Sequence, residues 1–408
     1  AYEVLWSRML GHVLGGSTYA FSTMLATFLT GIALGSWAAS RLATTQERSI
    51  RLFAWAQLGT GLLFLLAFQL VDLLPLFTQS LATWSASTPV LDAMVCALVL
   101  LPGTLCIGAT FPLAVRIFAR EAAATSEATG KVYSWNTLGS IFGAVGAGFF
   151  LIPAVGYTIS IQVIVVANLF LAGLSALRAA EGRRLVPWLA SAAILALILI
   201  PPSPPWELLR NMPLSAQSPG GKLTYFGVGR SSTVMLRDRQ GRWYLSTNGL
   251  PEAVILSPGG LTAFSTASQW LTNAAILARP EMRSLLLVGL GGGVTLENIP
   301  DTVREIDVIE IEPEVVLANR AVGKQRSRDP LADPRVRLTI NDVRSALLLS
   351  QNHYDAIISQ PSHPWTAGAS HLYTREFFDL ARDHLTESGV FVQWMGLRYI
   401  DADLLRIL

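Results

Sequence analysis

Long uncharged apolar stretches in the first half of the chain constrain its fold more than any other feature. A helix needs about 20 mostly apolar residues to cross a bilayer. Five stretches meet this length: 17–40, 51–72, 90–118, 136–155 and 157–177. Residues 1–201 hold only 10 of the 30 Lys and Arg residues and 7 of the 28 Asp and Glu residues. The sequence therefore predicts a transmembrane helical domain of five to six spans, followed by a domain built for water.

A sixth apolar stretch, residues 185–200, determines on which side of the membrane the second half lies. Loops 73–89 and 153–157 contain no Lys or Arg, and they alternate with loops that do. The basic loops are 41–51, 116–131 and 178–184. The positive-inside rule places these basic loops in the cytoplasm of a bacterial-type inner membrane. The second half is then extracytoplasmic if residues 185–200 span the bilayer, and cytoplasmic if they do not.

Small residues recur at four-residue spacing in two of the apolar stretches. Gly31 and Gly35 form one GxxxG pair, and Gly139 and Gly143 form another. Such faces let helices approach closely in lipid. Two interpretations are open, namely packing within the bundle and docking of another membrane protein subunit. The expected partners are thus the lipid bilayer and other membrane subunits. A net charge of +2 gives no indication of nucleic-acid binding.

The second half begins with a change of pattern. Four prolines between residues 201 and 205 stiffen the chain, and residues 202–221 are expected to form an irregular Pro-rich linker. Residues 222–282 are then rich in β-branched and aromatic residues, which predicts a small β-hairpin unit and a connecting helix. Gln240–Gly241 and Asn248–Gly249 predict the turns of this unit.

From residue 283 onward, short apolar strands alternate with helices. This pattern predicts an α/β domain with a doubly wound, mainly parallel sheet over residues 283–408. Ligands of such sheets bind at the carboxyl ends of the strands. Gly289, Gly291 and Gly293 follow the first strand, and their missing side chains let the backbone approach a ligand.

Two acids follow the next two strands. Glu310 ends the second strand and can accept hydrogen bonds from ribose hydroxyls. Asp342 follows the third strand, where it can cap the next helix or contact a nucleobase amine, and both readings are open. Glu312 and Glu314 are expected to be exposed. We predict no metal site, because the two cysteines, Cys96 and Cys106, lie in one apolar stretch.

These motifs, in this order, resemble those of the spermidine synthase (aminopropyltransferase) family. They are GLGGG at 289–293, IEIEP at 309–313, NDV at 341–343 and YDAIISQPSHPW at 354–365. FLTGIALGSWAASRLA, residues 28–43, resembles the branch of the family in which a helical membrane domain precedes the synthase-like domain. The resemblance implies a Rossmann-like, methyltransferase-type domain that is C-terminally incomplete, and a further helix before Ala1.

The resemblance also implies a nucleoside site. Family members bind decarboxylated S-adenosylmethionine or methylthioadenosine, and S-adenosylmethionine itself is the related methyl donor. Gly289, Gly291 and Gly293 match positions of the family's glycine motif, although Leu290 and Gly292 depart from it. Glu310 matches the ribose-binding acid and Asp342 the acid on the adenine side.

The acceptor half of the motif set departs from the family pattern. Gln360 and His363 stand at the two positions of the family's paired acids, and Asn248 replaces a further acid. Residues 262–270 also lack the acids and the Tyr that the family carries there. A glutamine cannot act as a general base, whereas a neutral histidine can. A cationic polyamine would lose several charge-assisted contacts of about 1.5–3 kcal/mol each.

Two functions are therefore open. In the first, the protein is a membrane-bound transferase that uses an S-adenosylmethionine-derived donor and an uncharged, non-polyamine acceptor, with His363 and Gln360 facing that acceptor. In the second, the synthase-like domain is catalytically inactive, binds no cofactor and serves as a docking module in a membrane complex. The sequence does not decide between an enzyme and a relative without activity.

Overall fold

The computed structural model describes residues 1–82, 88–119, 125–178, 185–211, 220–258, 267–366 and 368–395. The chain forms two compact units. The first unit comprises Ala1–Leu14 and Tyr19–Pro213, and the second comprises Gly15–Thr18 and Leu214–Leu408.

The first unit is helical. Its helices are α1 Tyr2–Leu14, α2 Thr18–Leu42, α3 Gln46–Leu70, α4 Leu74–Ala82, α5 Thr88–Phe118, α6 Thr125–Val145, α7 Ile152–Ala176, α8 Leu185–Leu199 and α9 Trp206–Arg210. Within the described ranges, four stretches are long and apolar enough to cross a membrane, judged by length and composition alone. They are Thr18–Leu42, Gln46–Ser80, Pro89–Phe118 and Thr125–Ala176.

The last of these stretches is interrupted at a glycine. It has 52 residues, or about 78 Å of helix at 1.5 Å per residue, more than twice the thickness of a bilayer core. Gly156, which lies inside α7, has a φ of 71° and is not helical, so α7 is interrupted there and the stretch divides into two helical parts. This point lies in the loop that the sequence predicts at 153–157. The helices thus match the five predicted stretches, and their insertion into a membrane stays a prediction.

The Gly31–Gly35 face packs inside the helical unit. A methyl group added at Gly35 would lie 2.0 Å from the carbonyl oxygen of Leu105 on α5, and one added at Gly31 would overlap Thr104. The Ser36 hydroxyl donates to the Gly108 carbonyl of the same helix at 2.7 Å. For this pair, the prediction of packing within the bundle is confirmed, because only glycine permits so close a helix contact.

The expectation of an irregular linker over residues 202–221 is wrong at 206–210, which form α9. Leu208 and Leu209 of this helix are buried in the helical unit. The Leu208 N–H donates to the Asp72 carboxylate at 2.9 Å. Because these two leucines are buried, the start of the predicted linker is part of the first unit. Residues 212–219 lie outside the described ranges.

The second unit begins with a four-stranded antiparallel sheet in the order β1-β2-β3-β4. Its strands are β1 Lys222–Val228, β2 Thr233–Arg239, β3 Arg242–Thr247 and β4 Leu250–Leu256, and helix α10 Ala267–Ala278 follows. Gln240 and Gly241 have φ values of 55° and 77°, and Asn248 and Gly249 have values of 49° and 78°. Two left-handed residues in succession are typical of type I′ hairpin turns, as the sequence predicts.

A five-stranded parallel sheet follows, in the order β7-β6-β5-β8-β9. Its elements are β5 Ser284–Val288, α11 Val294–Glu297, β6 Glu305–Glu310, α12 Pro313–Val322, β7 Val336–Ile340, α13 Val343–Leu348, β8 Tyr354–Ser359, α14 Arg375–Asp383 and β9 Leu385–Gln393. The predicted doubly wound fold is confirmed. After β5, the chain adds β6 and β7 on one side of this strand and then β8 and β9 on its other side. The position between β5 and β8 is therefore a topological switch point, and ligands of such folds bind at switch points.

Apolar residues of β5 alternate between two cores on opposite faces of this sheet. Leu285 and Leu287 pack against Leu271 of α10 and Val315 of α12. Leu286 and Val288 face the other side, where Phe377 of α14 packs. Burial on both faces holds the carboxyl ends of the strands in a fixed arrangement.

Candidate functional site

A cavity of about 640 Å³ lies at the carboxyl ends of β5, β6, β7 and β8. This size falls in the range of small-molecule sites, which is about 300–1,000 Å³. Much of its lining is apolar, including Leu245, Val288, Ile309 and Val343. The charged residues that line it are Glu252, Glu310, Glu312, Asp342 and Arg344.

The glycine loop closes one wall of the cavity. Gly289, Gly291 and Gly293 have φ values of 85°, 52° and 71°, which favour glycine. A Cβ atom at Gly289 would lie 2.6 Å from the carbonyl oxygen of Gln360, so β5 and β8 approach each other here without a side chain between them. Gly289 and Gly291 line the cavity, whereas Gly293 begins helix α11 behind it.

A buried polar network supports the glycine loop from below. The Asn319 amide donates to the Gly291 carbonyl at 2.8 Å. Arg326, whose side chain is fully buried, donates to the Asn319 side-chain oxygen at 2.8 Å and to the Glu297 carboxylate at 2.7 Å. Sequence reasoning missed this network, because Glu297 and Asn319 lie on helices and Arg326 follows a turn, all outside the motifs.

Glu310 lies buried at the end of β6, with 6% of its surface exposed. One carboxylate oxygen accepts the Leu290 N–H at 2.8 Å and the other accepts the Glu312 N–H at 2.9 Å. Burial raises the pKa of this carboxyl group, and these backbone donors oppose the rise. Because a carboxylate oxygen can accept more than one hydrogen bond, both oxygens retain capacity for ligand hydroxyls.

The expectation that Glu312 is exposed is wrong, since only 2% of its surface is accessible. Its carboxylate accepts the N–H groups of Ser231 and Ser232, each at 3.0 Å, and the Ser231 hydroxyl at 2.7 Å. These donors compensate the burial of the charge and join the turn between β1 and β2 to the edge of the cavity. Glu314 is half-buried and accepts the Tyr225 hydroxyl.

Asp342 caps helix α13, accepting the Ser345 N–H at 2.9 Å. The structure thus shows the capping role that the sequence left open. The same side chain lines the cavity. A second role toward a nucleobase stays a prediction.

The two residues predicted to face the acceptor lie in different surroundings. Gln360 lines the cavity, but its side-chain oxygen accepts the Thr295 hydroxyl at 2.5 Å and its amide donates to the Ser268 hydroxyl at 3.1 Å. His363 is not part of the cavity wall. Its ring stacks on Trp365 at 4.7 Å and meets the edge of Trp394 at 5.4 Å.

Two cavity residues that sequence reasoning did not assign to the site are Glu252 and His371. The Glu252 carboxylate accepts the Thr247 hydroxyl at 2.6 Å and the Ser362 hydroxyl at 2.7 Å. Burial, and then the charge of Glu252, raises the pKa of Tyr373. Glu252 was missed because β4 brings it to the cavity from outside the motifs. The available signal was the predicted Asn248–Gly249 turn, because it pairs the strand that contains Glu252 with the strand before it.

Sheet order, glycine loop and strand-end acids define a doubly wound α/β domain of the Rossmann type with a ligand cavity at its switch point. Residues 265–401 match the family model of the spermine/spermidine synthase domain. The C-terminal part of the chain is therefore spermidine synthase-like. Among the described residues, no group of three or more His, Cys, Asp or Glu side chains could hold a metal ion.

Curated relatives and solved structures cover this same part of the chain. The polyamine aminopropyltransferase of Pyrobaculum calidifontis is 33% identical over 133 residues, which are 31% of this chain and 46% of that protein. The polyamine aminopropyltransferase of Yersinia pestis (strain Pestoides F) is 28% identical over 137 residues, covering 33% of this chain and 46% of that protein. A spermidine synthase in complex with the transition-state analogue AdoDATO has a TM-score of 0.37 at 24% identity, covering 42% of this chain and 57% of that one. The chain spans about half the length of the curated relatives it matches.

Proposed function

We propose that the second unit binds decarboxylated S-adenosylmethionine and transfers its aminopropyl group to an uncharged, non-polyamine acceptor. The observation that supports this proposal best is Glu310, a buried carboxylate between the glycine loop and the cavity. Two backbone N–H groups fix its position, and it can accept the ribose hydroxyls of the donor. Polyamine aminopropyltransferases are the relatives of this domain.

The remaining donor contacts follow from the cavity wall. The backbone at Gly289 and Gly291 would adjoin the ribose, because neither residue has a side chain to exclude it. Asp342 would accept a hydrogen bond from the adenine amine with the carboxylate oxygen that does not cap α13. The apolar residues Ile309 and Ile311 would contact the adenine ring.

Transfer then needs an acceptor nitrogen with a free electron pair. That pair attacks the aminopropyl carbon bound to the sulfonium sulfur. The carbon–sulfur bond breaks, its electrons return to sulfur and methylthioadenosine leaves. The acceptor loses one proton, which Glu252 or His371 would take, since both line the cavity and can bind a proton.

The acceptor side argues against a dicationic polyamine. Gln360 stands where the family has an acid, and its amide is bonded to Thr295 and Ser268. Glu252 is the cavity carboxylate bonded to the loop after β8, and two hydroxyls already occupy it. A second ammonium group would therefore lack a carboxylate partner. Its binding would carry the unfavourable free energy of burying an unpaired charge.

We also propose that α2, α3 and α5–α7 anchor this transferase in the inner membrane. Apolar side chains point outward along these helices, including Trp37, Leu66, Phe142 and Phe170. A water-soluble bundle would instead present polar residues on that surface.

A second candidate is a ligand-free docking module. The arrangement of Gln360 favours it, because a side chain bonded on both sides to neighbours is suited to structure more than to catalysis. The two candidates differ in a single property, which is binding of the donor nucleoside.

Isothermal titration of the purified full chain in detergent tests the proposal. Methylthioadenosine, decarboxylated S-adenosylmethionine and S-adenosylmethionine are titrated separately. We expect micromolar binding of the first two, lost in Glu310→Ala. Glu387→Ala, an exposed acid on β9 outside the cavity, is the matched control and should bind as the wild type does.

Thermal unfolding of each variant shows whether Glu310→Ala still folds. Failure of the folded wild-type protein to bind any of the three nucleosides would reject the transferase and favour the docking module. Binding that survives in folded Glu310→Ala would reject Glu310 as the ribose contact.

A further inference from the structure

The glycine loop needs contacts from outside itself to keep one conformation. Four of the five residues from 289 to 293 are glycines, and glycine loses more backbone freedom on folding than any other residue. The same loop places the Leu290 N–H on the Glu310 carboxylate at 2.8 Å. The groups that hold the loop therefore also decide whether this part of the cavity wall is formed before a ligand binds.

Asn319 holds the loop from a neighbouring helix. Its amide donates to the Gly291 carbonyl at 2.8 Å and to the Val315 carbonyl of its own helix, α12, at 2.9 Å. Only 1% of the Asn319 surface is exposed, and Val315 and Val316 bury α12 in the core of the domain. One peptide of the loop is thus tied to a buried helix.

Arg326 fixes the orientation of the Asn319 amide. Its guanidinium group donates to the Asn319 side-chain oxygen at 2.8 Å and to the Glu297 carboxylate at 2.7 Å. A guanidinium group has only donors, so it must face the oxygen of the amide and leave the amide nitrogen to the loop. A buried ion pair is weak evidence for a role in stability, because apolar residues of similar volume often serve as well. Orienting Asn319 is a second reason to bury this arginine.

Gly293 makes room for these two side chains. A Cβ atom at this position would lie 3.0 Å from the Asn319 side-chain oxygen and 3.3 Å from a terminal nitrogen of Arg326. Gly293 itself does not line the cavity. The third glycine of the motif thus permits the loop to approach Asn319 and Arg326 closely.

We propose that Asn319 is a positioning residue of the donor site, and that Arg326 and Glu297 act through it. By holding the Gly291 carbonyl, Asn319 fixes the preceding N–H group on the Glu310 carboxylate, which presets the ribose contact. A loop that is ordered in advance lowers the entropic cost of binding. This inference rests on the proposed function, because it concerns the same donor.

Hydrogen exchange of the ligand-free full chain in detergent tests the loop itself. A peptide that covers residues 289–293 reports local opening of the loop. We expect Asn319→Leu to speed its exchange about tenfold, the effect of one lost hydrogen bond. A peptide that covers β8 should exchange as in the wild type. Arg328→Met is the matched control, because this nearby arginine pairs with Asp301 and Asp333 instead.

Titration with methylthioadenosine, well below the melting temperature, tests the consequence for the donor. Asn319→Leu should weaken binding by about tenfold. Asn319→Asp keeps an acceptor for Arg326 but cannot donate to Gly291, so it should weaken binding as much. Adding Arg326→Met to Asn319→Leu should weaken it no further, since Arg326 acts only through Asn319.

A second control separates positioning from stability. Thr272→Val loses a buried hydroxyl that donates to the Thr295 carbonyl at 3.1 Å. It should lower the melting temperature and leave the affinity for methylthioadenosine unchanged. If the loss of affinity instead follows the loss of melting temperature across all variants, this control included, the positioning role is rejected.

The remaining outcomes separate this inference from the proposed function. If the wild type does not bind methylthioadenosine, the proposed function fails and the donor role of Asn319 is rejected with it. If the wild type binds and folded Asn319→Leu binds equally well, or its loop exchanges no faster, the inference alone is rejected. Wild-type affinity in Asn319→Asp also rejects it. Should Asn319→Leu fail to fold, Asn319→Asp replaces it in both experiments.

Discussion

Glu310 combines two demands that oppose each other. The proposed function requires an ionised carboxylate that accepts ribose hydroxyls, yet burial raises the pKa of this group and favours the neutral acid. The Leu290 and Glu312 N–H groups reduce this conflict, and a bound ribose would reduce it further. Ligand binding and proton release are then linked at this one residue.

The first prediction follows from that linkage. Methylthioadenosine should bind more weakly as the pH falls through the raised pKa of Glu310, because the neutral acid accepts hydrogen bonds poorly. Binding should release protons near that pH, since the ligand lowers the pKa of the bound form. Titrations in two buffers of different ionisation enthalpy measure the release. Affinity that stays constant down to the ordinary glutamate range would contradict the prediction.

The helix cap that Asp342 forms and the nucleobase contact proposed for it can be tested separately. Asparagine caps helices about as well as aspartate, so Asp342→Asn should keep the cap and the melting temperature. Its amide nitrogen cannot accept from an adenine amine, and we expect methylthioadenosine to bind about tenfold more weakly. Asp342→Ala should lose about 1 kcal/mol of stability in addition.

A ligand control completes this prediction. Methylthioinosine carries an oxygen where methylthioadenosine carries the amine. The wild type should prefer methylthioadenosine, and Asp342→Asn should lose that preference. Equal discrimination by both proteins would leave Asp342 as a cap alone.

A position in the cavity wall was predictable where a residue ends or follows a strand of the motif series, as with Glu310 and Asp342. They were not predictable where a distant element delivers the side chain. Glu252 reaches the cavity through the pairing of β3 and β4, and Glu312 is buried because the β1–β2 turn folds over it. No local pattern in the sequence carries these contacts.

Most of the secondary-structure elements could be predicted from the spacing of apolar residues and from the residue types at turns. The alternation of apolar strands and helices after residue 283 gave the parallel sheet, and the Asn248–Gly249 pair gave a type I′ turn. Helix α9 was not predicted, because its five residues are too few to show the helical spacing of apolar residues. Its stability comes from burial of Leu208 and Leu209, which is a tertiary effect.

The two GxxxG pairs allow a test of whether this motif predicts close packing of the helix that contains it. Gly35→Ala places a methyl group 2.0 Å from the Leu105 carbonyl oxygen, so α2 and α5 must separate. We expect a loss of about 1–3 kcal/mol, which is typical of overpacking. Gly139→Ala meets nothing within 4 Å and should be neutral or slightly stabilising, because alanine favours helix.

Thermal unfolding in detergent compares the two variants directly. Equal destabilisation by both would show that Gly139 also packs closely, and a partner subunit on α6 would then be the explanation to pursue. A stable Gly35→Ala variant would contradict the close contact of α2 and α5.

The whole molecule joins a Rossmann-type domain to apolar helices, and the short helix α8 lies between them in the chain. Its 15 described residues extend about 22 Å at 1.5 Å per residue, less than the roughly 30 Å of a bilayer core. We therefore infer that α8 does not span. Counting the five other apolar stretches from the basic loop 41–51, which the positive-inside rule assigns to the cytoplasm, then predicts a cytoplasmic second unit. That compartment is also where S-adenosylmethionine and its decarboxylated form are made.

The last prediction tests this placement with fusions in a bacterial host. Alkaline phosphatase is active only outside the cytoplasm, and green fluorescent protein fluoresces only when it folds inside. Fusions after residue 211 and after residue 395 should fluoresce and show no phosphatase activity. A fusion after residue 80, in the loop without Lys or Arg, should give the reverse and serves as the control. Phosphatase activity at residue 211 would mean that α8 spans despite its length. The cavity would then face away from the compartment in which the donor is made, and this result would contradict the proposed transferase.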